Sequence, residues 1–148
     1  VISVASGVRH ARSARRDGTV WGWGSNADFA LAMDDETEVV VEPRQIEGLT
    51  DVRAVAAGST FSMALLRDGT VRMWGRMSGV SGREVPYHRV RTVPRLQTVV
   101  ALDAANTHAF ALTEGGTLWA WGSNAQGQIG SEEADESQFP PVVVDLPY

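Results

Sequence analysis

Short segments in which apolar residues alternate with small or polar ones recur along the chain at nearly constant spacing. The clearest runs from Asp17 to Asn26 (DGTVWGWGSN), and related segments follow at Asp68 to Met77 (DGTVRMWGRM) and Gly115 to Asn124 (GGTLWAWGSN). Each combines a Gly-containing turn with a short strand pattern that ends in Trp-Gly. The segments begin 51 and 47 positions apart, a spacing typical of propellers and solenoids. The pattern predicts an all-β chain of three similar sheets.

Each repeat is predicted to contain four short strands. The second repeat shows the first three strands clearly, at 52–58, 61–69 and 70–75, and Phe61, Met63 and Leu65 alternate there with smaller residues. This two-residue period is typical of a strand in which one face is more apolar than the other. We predict repeats at about 1–51, 52–98 and 99–148, with a fourth strand in the first repeat that restarts at Pro43.

In these repeated residues the chain resembles the regulator of chromosome condensation repeat family, whose members form seven-bladed β-propellers. The matching features are VAAG at 55–58, the DG turn, the WG pair and SNAQGQIG at 123–130. A further match is an aromatic residue or histidine at the start of the second strand, namely His10, Phe61 and His108. The resemblance implies three four-stranded blades of a β-propeller.

Three blades are fewer than a closed propeller needs, so two sheet faces are expected to be bare. We expect the ring to be completed by further repeats or by self-association, for example by a dimer that gives six blades. A homo-oligomer is therefore predicted.

Three of the five tryptophans occupy the same position in each repeat, and we interpret them as anchors of the blade cores. These anchors and the turn glycines are Trp23, Trp74, Trp121, Gly18, Gly69 and Gly116. Trp21 and Trp119 lie two residues earlier, where the second repeat has Arg72. Because packing accepts a polar group at this position, these three side chains are candidates for partial exposure and for binding, although blade packing is the alternative.

The loops that follow the WG strands differ in charge between repeats. The candidate interaction residues there are Asp34, Asp35, Glu132 and Glu133 in the first and third repeats, and Arg89 and Arg91 in the second. The acidic residues could bind Ca²⁺ or attract a basic partner, but EF-hand spacing is absent. Charges of alternating sign around one rim favour protein partners over a uniform polyanion.

Arginine replaces apolar residues in the second strand of the first repeat. Arg12 and Arg15 stand where the second repeat has Met63 and Leu66. A guanidinium between two blades would be costly to bury. We therefore expect this part of the first repeat to be exposed or to face a partner.

Composition and motifs narrow the possible functions. The formal charge of −5 argues against nucleic acid, no apolar run reaches the roughly 20 residues of a membrane helix, and the chain has no Cys. His10 and His108 are interpreted as space-filling because Phe61 is their equivalent. The GWGSNA match to a dinucleotide fingerprint at 22–27 lies at a strand end instead of before a helix. No enzymatic activity, catalytic residue, cofactor or metal is predicted, and the compartment stays open.

The sequence is thus most consistent with a repeat scaffold that presents rim loops to protein partners. Three alternatives remain. One is nucleotide exchange on a small GTPase, which the family resemblance implies for some members. Another is binding of a carbohydrate or other ligand by Trp21 and Trp119 at a blade rim. The third is that the chain is chiefly a building block that assembles, either a natural fragment or an engineered one.

Overall fold

Twelve strands make up three antiparallel four-stranded sheets in the computed structural model, which describes residues 1–33, 37–77, 89–132 and 134–147. In every sheet the strands lie side by side in chain order. The first sheet contains β1 (Ser3–Ser6), β2 (His10–Ala14), β3 (Val20–Ser25) and β4 (Val39–Gln45). The second contains β5 (Val52–Ala57), β6 (Phe61–Leu66), β7 (Val71–Gly75) and β8 (Arg91–Thr92). The third contains β9 (Val99–Ala104), β10 (His108–Thr113), β11 (Leu118–Ser123) and β12 (Ser137–Val143).

The predicted all-β architecture of three four-stranded sheets is confirmed. One boundary differs, because β4 begins at Val39, four residues before the predicted restart at Pro43. Val40 is buried and pairs with Gly24 across a bulge in β3, so the sheet extends toward the preceding loop. A 3-10 turn, Ala27–Phe29, lies between β3 and β4.

DG turns join the second and third strands in the same way in the first and second sheets. Gly18 and Gly69 have φ angles of +85° and +83°, which an L side chain rarely adopts. Asp17 accepts hydrogen bonds from the backbone N–H and the hydroxyl of Thr19 at 3.1 and 2.6 Å, and this hydrogen bonding holds the pKa of Asp17 below its ordinary value. In the third sheet Gly115 replaces the aspartate, and the Thr113 hydroxyl accepts from the Thr117 N–H at 3.1 Å.

Neighbouring sheets pack face to face through two cores. We call the contact between the first and second sheets contact A and that between the second and third sheets contact B. The buried residues of contact A include Ala14, Val20, Ile46, Leu49, Val52, Val55, Ala64, Leu66 and Trp74. Those of contact B include Phe61, Met63, Leu65, Val71, Met73, Met77, Val99, Ala109, Ala111 and Trp121. The first strand of each following sheet also donates to the preceding DG turn, from Val52 N to Gly18 O at 3.1 Å and from Val99 N to Gly69 O at 3.0 Å.

The three sheets form an open arc, and the described residues leave one face of the first sheet and one face of the third sheet uncovered. We call these the outer face of the first sheet and the outer face of the third sheet. Val4, on the first sheet, is 71% exposed, and Leu112, on the third, is 39% exposed. A small apolar cluster around Ala120, Ile129 and Val144 lies at the third sheet.

The prediction that Arg12 is exposed or faces a partner is wrong. Its side chain is 0% exposed and lies in contact A, where Nη1 donates to the Ala56 carbonyl at 3.1 Å and the guanidinium lies 5.8 Å from the ring centroid of Trp74. The long side chain therefore spans the gap between two sheets that smaller residues line. Arg15, by contrast, is exposed and lies 5.8 Å from the ring centroid of Trp21.

Candidate functional site

The repeated topology brings equivalent loops to one end of all three sheets. Because the strands alternate in direction, the turn after the first strand and the loop after the third strand share that end. Backbone hydrogen bonds join these pairs, from Ser25 N to Arg9 O, Arg76 N to Thr60 O and Ser123 N to Thr107 O, at 2.8 to 3.1 Å. We call this surface the loop face, defined by residues 7–9, 58–60 and 105–107 and by the described parts of the loops at 26–38, 76–90 and 124–136.

Asparagine side chains organise two of the long loops from within. Asn26 Oδ1 accepts from the Leu31 N–H at 3.2 Å, and Asn124 Oδ1 accepts from the Ile129 N–H at 3.0 Å. Their Nδ2 groups donate to carbonyls farther along each loop, including Met33 O and Ala134 O. The SN dipeptide that follows WG at 25–26 and 123–124 is the sequence signal for this role.

The second loop begins differently. Met77 stands at the position of Asn26 and is fully buried in contact B. Arg76 instead ties the loop to the first sheet, since its N–H donates to Asp28 O at 3.0 Å and its guanidinium lies 3.7 Å from the Asp28 carboxylate. The loops of the first and second sheets are therefore joined by an ion pair as well as by a backbone hydrogen bond.

The charged candidate residues that can be placed lie on or beside the loop face. Arg89 precedes β8, Arg91 begins it, and both are exposed. Glu132 is exposed in the loop of the third sheet. Asp34, Asp35 and Glu133 lie outside the described residues. The topology thus brings loops of opposite charge to one end of the sheets.

Trp21 and Trp119 do not share a surface. Trp21 flanks Gly22, and a Cβ on Gly22 would point at Leu31 and Ile46 toward contact A, so Trp21 lies on the outer face of the first sheet. It is half-buried, and its Nε1 donates to the Thr19 hydroxyl at 3.1 Å. Trp119 is half-buried against contact B. The two rings therefore do not form one ligand platform, and the equivalent Arg72 is half-buried in the second sheet.

The tryptophans of the WG pairs differ in burial according to what covers them. Trp74 and Trp121 are fully buried in contacts A and B. Trp74 Nε1 donates to the Ala30 carbonyl at 2.9 Å, and Ser62 Oγ donates to the same carbonyl at 2.7 Å. Trp23, the first of the series, is only half-buried, on the outer face of the first sheet. Gly18 and Gly69 are buried, whereas Gly116 is exposed.

A cleft of about 280 Å³ opens on the loop face between the first two sheets, and Val8, Arg9, His10, Asp28 and Thr60 contribute to its lining. Burial, reinforced by the charge of Arg12, lowers the pKa of His10 to about 4, against an opposing hydrogen bond to the Phe61 backbone. His10 is therefore neutral near pH 7. In the described parts of the chain, no group of three or more His, Asp or Glu side chains could hold a metal ion, and no helix could span a bilayer.

Two family models described as the regulator of chromosome condensation (RCC1) repeat match the chain. One matches residues 17–65, and the other matches 1–29, 52–79 and 99–128. The resemblance drawn from the repeated motifs is confirmed.

Relatives and solved structures agree with the family models. Human E3 ubiquitin-protein ligase HERC2 is 32% identical over 99% of this chain and 3% of that protein, and protein pim1 of Schizosaccharomyces pombe is 27% identical over 97% of this chain and 31% of that protein. The structure of human WBSCR16 superimposes with a TM-score of 0.84 at 28% identity, over 97% of this chain and 39% of that one. Saccharomyces cerevisiae Prp20p superimposes with a TM-score of 0.73 at 21% identity, over 97% and 38%. The chain spans about a third or less of the curated relatives and less than two fifths of these two structures.

The prediction that the protein is not an enzyme is wrong. HERC2 of human and of mouse, both 32% identical over nearly the whole chain, are named E3 ubiquitin-protein ligases. Their matched part is only 3% of their length, so an enzyme can carry these repeats without any catalytic motif inside them. The lack of such motifs in 148 residues therefore does not argue against an enzymatic protein.

Proposed function

Because the chain belongs to the regulator of chromosome condensation (RCC1) repeat family, we propose that it is a protein-interaction scaffold that binds its partner through the loop face. The observation that carries the proposal is the convergence of three loops at one end of three similar sheets, with exposed arginines at the second loop and exposed carboxylates on the third. A rigid sheet framework that presents variable loops is a common way to build a binding surface.

The exposed charges define the chemistry of the partner. Arg89 and Arg91 lie at the loop of the second sheet, and the loop of the third sheet carries Glu132, Asp135 and Glu136, all exposed. Neighbouring patches of opposite sign suit a protein with a complementary pattern and disfavour a uniform polyanion. The proposed partner is a protein with a basic patch that meets the third loop.

The names of relatives support a protein partner. The structure of Prp20p was determined together with its binding properties to Gsp1p and histones, and yeast RCC1 (Prp20) was determined bound to Kap60. These partners belong to those proteins. We carry over to this chain only the class, a protein ligand.

The proposal is tested with core histones as basic protein probes. We expect Glu132→Lys combined with Asp135→Lys to weaken binding about tenfold or more at low salt, because both carboxylates would lie against the basic partner. Glu47→Lys combined with Glu114→Lys is the matched control with the same change of net charge, since both residues are exposed and lie at the opposite end of the sheets. No binding by the unaltered chain, or equal losses in the two variants, would overturn the proposal.

Regulation of a small GTPase is a second candidate, favoured by the exposed acidic residues of the third loop. It predicts that the chain accelerates nucleotide release from a small GTPase and that the Glu132→Lys, Asp135→Lys variant loses this effect. Release rates with fluorescent nucleotide separate it from simple scaffolding, for which binding occurs without a change in rate.

A further inference from the structure

The cleft on the loop face between the first two sheets has the size of a site for one or two side chains. Its volume is about 280 Å³, just below the roughly 300 Å³ at which pockets for drug-sized ligands begin. One wall comes from the turn at 7–9 and the start of the loop at 26–38, and the other comes from Ser59 and Thr60 of the second sheet. Because the cleft opens on the surface that presents the loops, a segment of a bound protein can reach it.

Backbone hydrogen bonds fix both walls of the cleft. Within the first sheet the Ser25 N–H donates to the Arg9 carbonyl at 2.8 Å. The Arg76 N–H is shared between the Thr60 carbonyl at 3.1 Å and the Asp28 carbonyl at 3.0 Å, so it joins the two walls. A preformed cleft avoids the entropy cost of ordering its walls when a ligand binds.

The turn at 7–9 differs in chemistry from its two counterparts although the backbone is the same. A hydrogen bond spans each turn at 2.8 to 3.1 Å, from Gly7 N to His10 O, Gly58 N to Phe61 O and Ala105 N to His108 O. The two residues inside the turn are Val-Arg at 8–9, Ser-Thr at 59–60 and Asn-Thr at 106–107. The turn therefore forms equally well with hydroxyl and amide side chains, and its fold does not require a valine and an arginine.

Val8 gives the mouth of the cleft an apolar surface. Its side chain is 69% exposed, and Ala27, which also lines the cleft, is exposed as well. The ring of His10 contributes to the lining and is neutral near pH 7, because burial lowers its pKa to about 4. Exposed apolar groups at a concave site gain free energy when a ligand removes them from water. The cleft is therefore suited to an aliphatic side chain.

Arg9 gives the same mouth a positive charge. It is exposed and forms no ion pair among the described residues. The Asp28 carboxylate is already paired with the guanidinium of Arg76 at 3.7 Å. The described residues at the cleft thus carry two guanidinium groups and one carboxylate, in a chain whose formal charge is −5. A carboxylate on the ligand complements this local excess, whereas an ammonium group does not.

We propose that this cleft binds an acidic segment of a partner protein, in which an aliphatic side chain packs against Val8 and a neighbouring aspartate or glutamate pairs with Arg9. The site rests on the proposed function, because it lies on the loop face. It adds a contact that the third loop does not provide, since the third loop meets a basic patch of the partner and the cleft meets an acidic segment. Two contacts of opposite sign fix the orientation of the partner on the loop face.

The probe for this site is the peptide acetyl-Gly-Leu-Glu-Leu-Gly-amide. It is titrated into the isotope-labelled chain while the backbone amide signals of Ala27 and Thr60 are followed by NMR, and both signals are expected to shift until the site is saturated. The same peptide with lysine in place of glutamate should bind at least about fivefold more weakly, because it brings an ammonium group to Arg9.

Variants that copy the second sheet retain the turn and remove its chemistry. Val8→Ser and Arg9→Thr should each weaken binding of the acidic peptide about fivefold, because the first removes an apolar contact and the second removes an ion pair. Arg16→Thr is the matched control with the same change of net charge, since Arg16 is exposed at the opposite end of the first sheet. Amide signals away from the cleft verify that each variant is folded.

Any of three results would overturn this site: no shift with the acidic peptide, equal binding of the lysine peptide, or equal losses in Arg9→Thr and Arg16→Thr. The proposed function has a separate readout, because Glu132→Lys combined with Asp135→Lys weakens histone binding but should not weaken peptide binding. Histone binding without peptide binding therefore contradicts the cleft and supports the scaffold. Peptide binding without histone binding supports the cleft and contradicts a basic partner at the third loop.

Discussion

The two contacts between neighbouring sheets share a backbone arrangement but differ in chemistry. Contact A has His10 and Arg12 on the second strand, and contact B has Phe61 and Met63 at the same positions. All four side chains are buried. Contact A therefore buries a guanidinium and an imidazole at positions where contact B buries apolar side chains.

The guanidinium of Arg12 has few polar partners in contact A. Arg12 has one hydrogen bond, to the Ala56 carbonyl, and the aromatic face of Trp74, while its Nε and Nη2 have no partner among the described residues. Burial lowers its pKa to about 9. A charge with so few partners costs free energy of folding, so contact A is expected to be the weaker of the two.

The largest effect is expected when the chemistry of contact A is transferred to contact B. Met63→Arg should lower the free energy of unfolding by at least about 3 kcal/mol, because Met63 is fully buried among apolar side chains and a guanidinium there must be desolvated and fitted into a filled core. Urea denaturation at fixed protein concentration measures the change. Met63→Leu is the matched control and should cost less than about 1.5 kcal/mol. A loss no greater than that of Met63→Leu would mean that the two contacts are interchangeable.

A second prediction concerns acid. The pKa of His10 is about 4 in the folded chain and 6.5 ordinarily, so the unfolded chain binds the proton more readily. The stabilising contribution of neutral His10 is thus complete above about pH 6.5 and is lost as the pH falls toward about 4, by on the order of 2 kcal/mol.

His10→Phe, which copies the residue of contact B, removes this titration. The free energies of unfolding of the two proteins, compared between about pH 7.5 and 4.5, should diverge in this window. Parallel pH profiles would contradict a buried neutral His10. Asp17 and Asp68, whose pKa values are lowered by hydrogen bonds from Thr19 and Thr70, contribute only at lower pH and equally in both proteins.

The smallest effect is expected for Arg12→Met, which converts contact A toward contact B. Replacing a poorly compensated charge with an apolar side chain of similar length should raise the free energy of unfolding by about 1 kcal/mol. Arg12→Ala is the companion variant, since it removes the charge but leaves a cavity against Trp74 and should not stabilise. A loss of stability in Arg12→Met would show that the Ala56 hydrogen bond and the Trp74 contact outweigh the burial of the charge.

The repeat pattern predicted the sheets because their local chemistry is repeated. Asp17 and Asp68 each receive the same two hydrogen bonds from a threonine, and Gly18 and Gly69 need positive φ angles. Such features act within a few residues, so they can be read from the sequence. The burial of Arg12 could not, because it depends on the carbonyl of Ala56 and the ring of Trp74 in another sheet.

The candidate site was less accessible to sequence reasoning. The equivalence of Trp23 with Trp74 and Trp121 predicted equal roles, but Trp74 and Trp121 are each buried against the preceding sheet, and no sheet precedes Trp23 in the described chain. The roles assigned to Trp21, Arg72, Trp119 and the charged loop residues stay predictions. What the topology adds is the separation of Trp21 from Trp119 and the gathering of the loops at one end.

The internal amide anchors of Asn26 and Asn124 have a consequence for how this surface can change. Each asparagine fixes its loop through backbone groups alone, so the exposed side chains of Glu132 and Asp135 take no part in these anchors. Substitutions at Glu132 or Asp135 could therefore change the binding specificity of this loop while its backbone structure stays the same.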